Sequence, residues 1–286
     1  MLYYFYPPEI WTPFQRLFFR NIPQCNDYFF LSNSSIQHTL YTQNYTNAFP
    51  FSSNNYTQVP IQESEEAVRG SWTPFSWVEK YAYAFSGPYN KAEVALTFDD
   101  GPDLVYTPQI LDKLSEYGVK GTFFLIGENA EKYPEVVKRI VKEGHIVGNH
   151  TYSHPNLAKV SDEEYRDQIL KTEEILRRLT GYDAKFIRPP YGVINENQLK
   201  WATEQNFMMI QWSVDTVDWK GLSAEKITNT VLGNTFPGSI LLQHSAPGGK
   251  LQGSVDALDR IIPELTSKGA RFVTLPKMFD TSKQRR

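Results

Sequence analysis

The stretch Val94-Ala95-Leu96-Thr97-Phe98 runs directly into Asp99-Asp100-Gly101-Pro102. A short apolar run closed by a turn signal reads as a buried strand. Gly-Pro ends it at the edge of a sheet. Two adjacent carboxylates at such an edge are costly if buried and unpaired. They make sense if one binds a metal ion and the other stays free as a base. Polar residues also close strands without any chemistry, so the rest of the chain has to decide between the two.

From about Lys91 onward, strands alternate with helices. The amphipathic run Pro108–Tyr117 stops at Gly118, and Gly121–Ile126 is a second apolar strand. Pro134–Glu143 reads as a helix, Ile146–Gly148 as a short strand and Ser161–Thr180 as a long helix. Ser161 with Glu164 is a capping-box signature, and Gly181 is a helix stop. Lys185–Ile187, Phe207–Trp212, Ser239–Gln243 and Arg271–Thr274 are further strands, separated by helices over Glu196–Gln205, Ser223–Asn234 and Val255–Lys268. Repeated βα units imply parallel strands with helices outside, either an α/β barrel or an open doubly wound sheet. In both, function gathers at the C-terminal ends of the strands. Asp99 and Asp100 occupy one such end.

Residues 1–60 have a different texture. Their only charges are Glu9, Arg16, Arg20 and Asp27, among many Asn, Tyr, Phe, Thr and Ser residues. This is too aromatic for ordinary disorder and too aperiodic for a helix. An irregular extension over 1–70 is expected, followed by the main domain over 71–280. Across all 286 residues, 41% are hydrophobic and 21% charged, with a net charge of −3. That balance carries no footprint for nucleic acid or an anionic membrane. The single cysteine, Cys25, excludes an intrachain disulfide. Met1–Trp11 lacks a basic n-region and is interrupted by Pro7-Pro8, so it does not read as a secretory leader. No apolar stretch is long enough to span a bilayer.

There are five histidines, and two fall in His150-Thr151-Tyr152-Ser153-His154. They follow the strand at Ile146–Gly148. Four-residue spacing would put both imidazoles on one side of a helical turn ended by Pro155. Two histidines, one carboxylate and an open position form a catalytic rather than a structural metal set. Asp100, His150 and His154 are assigned to it. The other three are His38, His145 and His244.

Five segments in order carry a resemblance: Thr97–Gly101, His150–His154, Arg188-Pro189-Pro190-Tyr191-Gly192, Asp215-Thr216-Val217-Asp218-Trp219 and Leu242-Gln243-His244. Over roughly residues 90–275 the chain resembles the NodB-type polysaccharide deacetylases of carbohydrate esterase family 4. The resemblance implies a (β/α) barrel, distorted or incomplete. It implies Asp99 as general base and Arg188 as the partner that keeps it ionised. Tyr191 would offer its backbone N–H to the tetrahedral oxyanion. His244 would be the general acid oriented by Asp218. Trp219 and Leu242, with Tyr191, would line the acetyl pocket.

The metal implied is Zn²⁺, with Co²⁺ and Mn²⁺ as the other candidates. The implied activity is release of acetate from N-acetylglucosamine-containing peptidoglycan or chitin-like glycan. The alternatives are an O-acetyl esterase acting on a polysaccharide such as xylan, and a wall- or spore-associated adaptor that binds through residues 1–70. That extension could also cover the groove and restrict substrate length. The expected partner is glycan alone, bound by a monomer. Family precedent points to the cell exterior, against the missing leader.

Overall fold

The computed structural model describes residues 81–246 and 249–285. The extension expected over 1–70 and the start of the domain expected over 71–280 lie outside the described residues. The opening apolar run becomes an inner strand of a nine-stranded sheet. In chain order the elements are β1 (Tyr83–Ala84), β2 (Glu93–Asp99), α1 (Tyr106–Glu116) and β3 (Thr122–Leu125). Next come α2 (Gly127–Lys132), α3 (Pro134–Lys142), β4 (Ile146–Asn149) and α4 (Asp162–Thr180). β5 (Phe186–Ile187), α5 (Glu196–Glu204), β6 (Met208–Ile210) and β7 (Val214–Asp215) follow. The series closes with α6 (Ala224–Asn234), β8 (Ile240–His244), α7 (Gln252–Ser267), β9 (Arg271–Phe272) and α8 (Leu275–Met278).

The strand order is β1-β6-β5-β4-β3-β2-β8-β7, with β9 against the start of β2, and every pair is parallel. Parallel neighbours require crossovers, which the helices supply. The path ends on β1 and β7, so the sheet curls into a barrel left open between them. Local signals act where expected. Ser161 Oγ accepts from the Glu164 N–H, and Gly181 ends α4 in the left-handed conformation at φ 79°. A full reciprocal capping box forms at Asn195 and Gln198, at the start of α5.

Strand parity positions the site. All seven residues of β2 are buried, as in a strand covered on both faces. Ala95, Phe124, Ile146, Phe186, Ile210 and Ile240 form one apolar cluster with Leu275 and Met278 of α8. Side chains two residues apart share a face. Above Ala95 on that face stand Thr97 and Asp99; above Ile146, Gly148 and then His150; above Phe186, Arg188; above Ile240, Leu242 and His244. The polar site is therefore the layer stacked directly on this apolar floor. Gly148 belongs to that column because a Cβ there would lie 2.6 Å from the Phe124 ring.

Candidate active site

Arg188 is fully buried, and each nitrogen of its guanidinium has a partner. Nη1 donates to Thr97 Oγ1 and to Asp99 Oδ1, each at 2.8 Å. Nε donates to the Ile210 carbonyl at 3.2 Å and Nη2 to the Gln211 carbonyl at 2.9 Å. The cation also lies 4.3 Å from the Phe124 ring centroid. A buried cation needs such a set, and the set allows it one orientation. Asp99 inherits that rigidity. One of its oxygens is held by Arg188, and the other, Oδ2, lies 3.7 Å from His150 Nε2.

Asp100 differs in every respect from its neighbour. Its backbone is left-handed at φ 69°. Its Oδ1 is buried without a hydrogen-bond partner, yet lies 3.4 Å from His150 Nε2 and 3.3 Å from His154 Nε2. These three residues offer ligand atoms all within 4.8 Å of one another. His150 Nδ1 sits 2.7 Å from the Arg188 carbonyl. A carbonyl only accepts, so Nδ1 carries the hydrogen and Nε2 is left with its lone pair facing Asp100. An orphaned carboxylate oxygen facing two imidazole nitrogens fits a divalent cation. It is poorly explained as a hydrogen-bonded cluster.

The electrostatics agree. Burial pushes the Asp100 carboxyl up, but the facing His150 imidazole and the charges of His150, His244 and His154 outweigh it and hold the group at about 2. Burial, aided by the His150 charge, drives His154 down to about 4, leaving it neutral as a ligand must be. Burial also opposes charge on His150, yet Asp99 and Asp100 together raise it. Two carboxylates demand positive charge here. A cation facing the Nε2 lone pair and the two carboxylates would supply it.

The helical turn expected over His150–His154 does not form. Thr151 and His154 both adopt left-handed backbone, at φ 67° and 58°. Asn149 Oδ1 accepts from the Thr151 N–H at 2.9 Å, and Thr151 Oγ1 accepts from the His154 N–H at 3.1 Å. These local side-chain bonds compete with helix and win. The imidazoles still converge, with ring centroids 4.9 Å apart.

Across the site, β2 and β8 are in register with Asp99 opposite His244. His244 Nδ1 lies 2.7 Å from Asp218 Oδ1. Asp218 Oδ2 accepts from the His244 N–H at 2.9 Å and from Ser254 Oγ at 2.6 Å. Burial works against charge on His244, but Asp218, with help from Asp100 and Asp99, pushes it up to about 9. Asp215 instead folds back on its own turn, accepting from the Val217 N–H at 2.8 Å.

Tyr191 has left-handed backbone at φ 58°, is 62% exposed, and sets its ring 4.7 Å from that of His154. Trp219, next to Asp218, is half-exposed, and Leu242 is buried on β8 two residues before His244. His145 serves structure: it is buried, and its Nδ1 accepts from the Gly121 N–H at 3.0 Å. His38 lies outside the described residues. Asn149, Gln168 and Ser254, which hold the site residues, carry no sequence signal of their own. The parity of β4 and β8 would have located the columns they support.

A family model for polysaccharide deacetylase matches residues 86–210. The chain is 66% identical to a peptidoglycan-N-acetylglucosamine deacetylase of Bacillus cereus over 287 residues, covering 100% of both. The crystal structure of the Bc1960 peptidoglycan N-acetylglucosamine deacetylase shares 79% identity and a TM-score of 0.74, over 75% of this chain and 100% of that one. A family 4 pseudoenzyme from Bacillus anthracis is 31% identical with a TM-score of 0.65, over 72% of this chain and 70% of that one. A fold that also serves a pseudoenzyme does not certify activity, so the side chains must.

Proposed function

The chain belongs to the polysaccharide deacetylase family, a hydrolase of N-acetylated glycan, and we propose that its substrate is the N-acetylglucosamine of peptidoglycan. The substrate reading is supported by the 66% identity to a peptidoglycan-N-acetylglucosamine deacetylase, and the observation that carries the hydrolytic chemistry is the Asp99–His244 register pair. It sets a carboxylate held by Arg188 beside an imidazole held by Asp218, on adjacent strands about 4.8 Å apart. One is built to take a proton and the other to give one.

Asp100, His150 and His154 would hold the metal ion, with Zn²⁺ the best match to two imidazoles and one carboxylate. When bound, it acidifies a water molecule and polarises the acetyl carbonyl. Asp99 Oδ2, the oxygen not engaged by Arg188, would take a proton from the attacking water as the water oxygen bonds to the carbonyl carbon. The Tyr191 backbone N–H stabilises the charge that develops on the carbonyl oxygen. The carbon–nitrogen bond then breaks, acetate departs, and His244 Nε2 delivers its proton to the sugar nitrogen. An amide anion is too basic to leave unassisted, and an imidazolium held at about 9 is charged at neutral pH. Trp219, Leu242 and Tyr191 flank the acetyl methyl.

A fully built acid favours the amide over an O-acetyl ester, whose leaving group needs less help. A peptidoglycan substrate also puts the work outside the cell, at the wall. Acetate release from N-acetylglucosamine oligomers and from peptidoglycan, with Zn²⁺ and with chelator, tests the reading. Asp99→Asn should lower kcat by roughly 10²–10⁴-fold while zinc stays bound. Acetate release untouched by the substitution would remove Asp99 from the mechanism.

A further inference from the structure

The loop carrying His154 holds two left-handed non-glycine residues, Thr151 and His154. Such conformations persist only where the surroundings over-determine them. Here every backbone N–H from Thr151 to His154 has a side-chain acceptor. The carbonyls of Thr151 and Tyr152 accept from the Gly127 and Glu128 N–H groups at the start of α2, at 2.9 and 3.0 Å. The N–H groups of Tyr152 and Ser153 both donate to one atom, Gln168 Oε1 of α4, each at 2.9 Å. Gln168 Nε2 donates in turn to Ser153 Oγ at 3.0 Å. One residue further along α4, the Ile169 carbonyl accepts from Asn149 Nδ2 at 3.0 Å, fixing the start of the same loop. The grip is close on the other side too, since a Cβ at Gly127 would lie 2.7 Å from the Tyr152 ring.

We infer that Gln168 is a positioning residue for the metal centre, setting cation affinity by clamping the loop that delivers His154. It touches none of the three ligands. Its amide oxygen takes the two N–H groups that would otherwise let the bend relax toward helix and swing His154 away from Asp100. The inference rests on the assignment of Asp100, His150 and His154 as the metal set. Partners of this outer kind typically govern affinity by about 10–100-fold.

The test is zinc affinity of the full chain by competition with a chromophoric chelator, for wild type, Gln168→Ala, Gln168→Glu and His154→Ala. Gln168 is only half-buried, and thermal unfolding of the metal-free variants shows that each has folded. Gln168→Ala should bind zinc about 10–100-fold more weakly. Gln168→Glu keeps an oxygen for both N–H groups and should restore affinity to within a few-fold of wild type. Wild-type affinity in Gln168→Ala would overturn the inference. So would a Gln168→Glu variant as weak as the alanine, because the two-N–H clamp would then not be what matters. Undiminished zinc binding by His154→Ala would instead overturn the metal-set assignment, and the role of Gln168 with it.

Discussion

The barrel rim carries two histidine–carboxylate clusters built from the same residue types to opposite designs. Around Asp218 every acceptor is used: Oδ1 faces His244 Nδ1 at 2.7 Å, and Oδ2 takes the His244 N–H and the Ser254 hydroxyl. Around Asp100 the contacts with His150 and His154 are longer, at 3.4 and 3.3 Å, and Oδ1 is an orphan. A closed cluster holds a proton and an orientation. An open one, with lone pairs converging and unmet, suits a cation. Completeness of hydrogen bonding therefore separates ligand from acid where residue identity does not.

The largest effect should come from the open cluster. Asp100→Ala removes one of the three proposed ligands, so zinc affinity should fall beyond the roughly 10–100-fold typical of outer partners. Acetate release should drop to background at ordinary zinc concentrations. Metal content after dialysis checks this, with Asp218→Ala as the contrast that keeps its zinc. Equal loss of metal in both variants would erase the distinction between the clusters. Next in size is the closed cluster's own residue. His244→Gln should lower kcat on N-acetylglucosamine oligomers by about 10²–10⁴-fold, the usual range for a general acid. On an O-acetylated xylan oligomer the same substitution should cost much less, because an alkoxide leaves more readily than an amide anion. Equal losses on both substrates would mean that His244 serves something other than the leaving group.

The place of both clusters was legible in the sequence, because it follows from strand ends. The apolar run Val94–Phe98 read as a buried strand, and the Gly-Pro turn after it put what followed at the edge of the sheet. The same logic places Arg188 after Phe186–Ile187 and His244 at the end of β8. The path of the His150–His154 loop was not legible. Four-residue spacing carries a helical signal, and only the side chains of Asn149 and Thr151 reveal that the backbone turns the other way. Short elements such as α2 and β7 escaped for want of enough residues to show a period. The supports were hidden for a different reason. Gln168 and Ser254 lie on helix faces that look like ordinary polar surface, and their partners are 15 and 36 residues distant. Long-range hydrogen bonds of this kind leave no local pattern.

The smallest expected effect is the one that probes the closed cluster without dismantling it. His244, the proposed acid, can give a proton only while protonated. Its raised value of about 9 therefore keeps activity intact through neutral pH and loses it as pH climbs through that value. Burial pulls the other way, and Asp218 is the largest of the charges that overcome it. Asp218→Asn keeps the size and much of the hydrogen bonding of the carboxylate but removes its charge. The imidazolium then has only the weaker support of Asp100 and Asp99. The alkaline limb of the pH profile of kcat/KM should move toward neutral pH, with the rate below the limb less affected than by loss of His244 itself. Zinc affinity should stay the same, since Asp218 belongs to the other cluster. An alkaline limb that stays in place would assign it to some group other than His244, and the closed cluster would then be a structural clamp with no part in proton transfer.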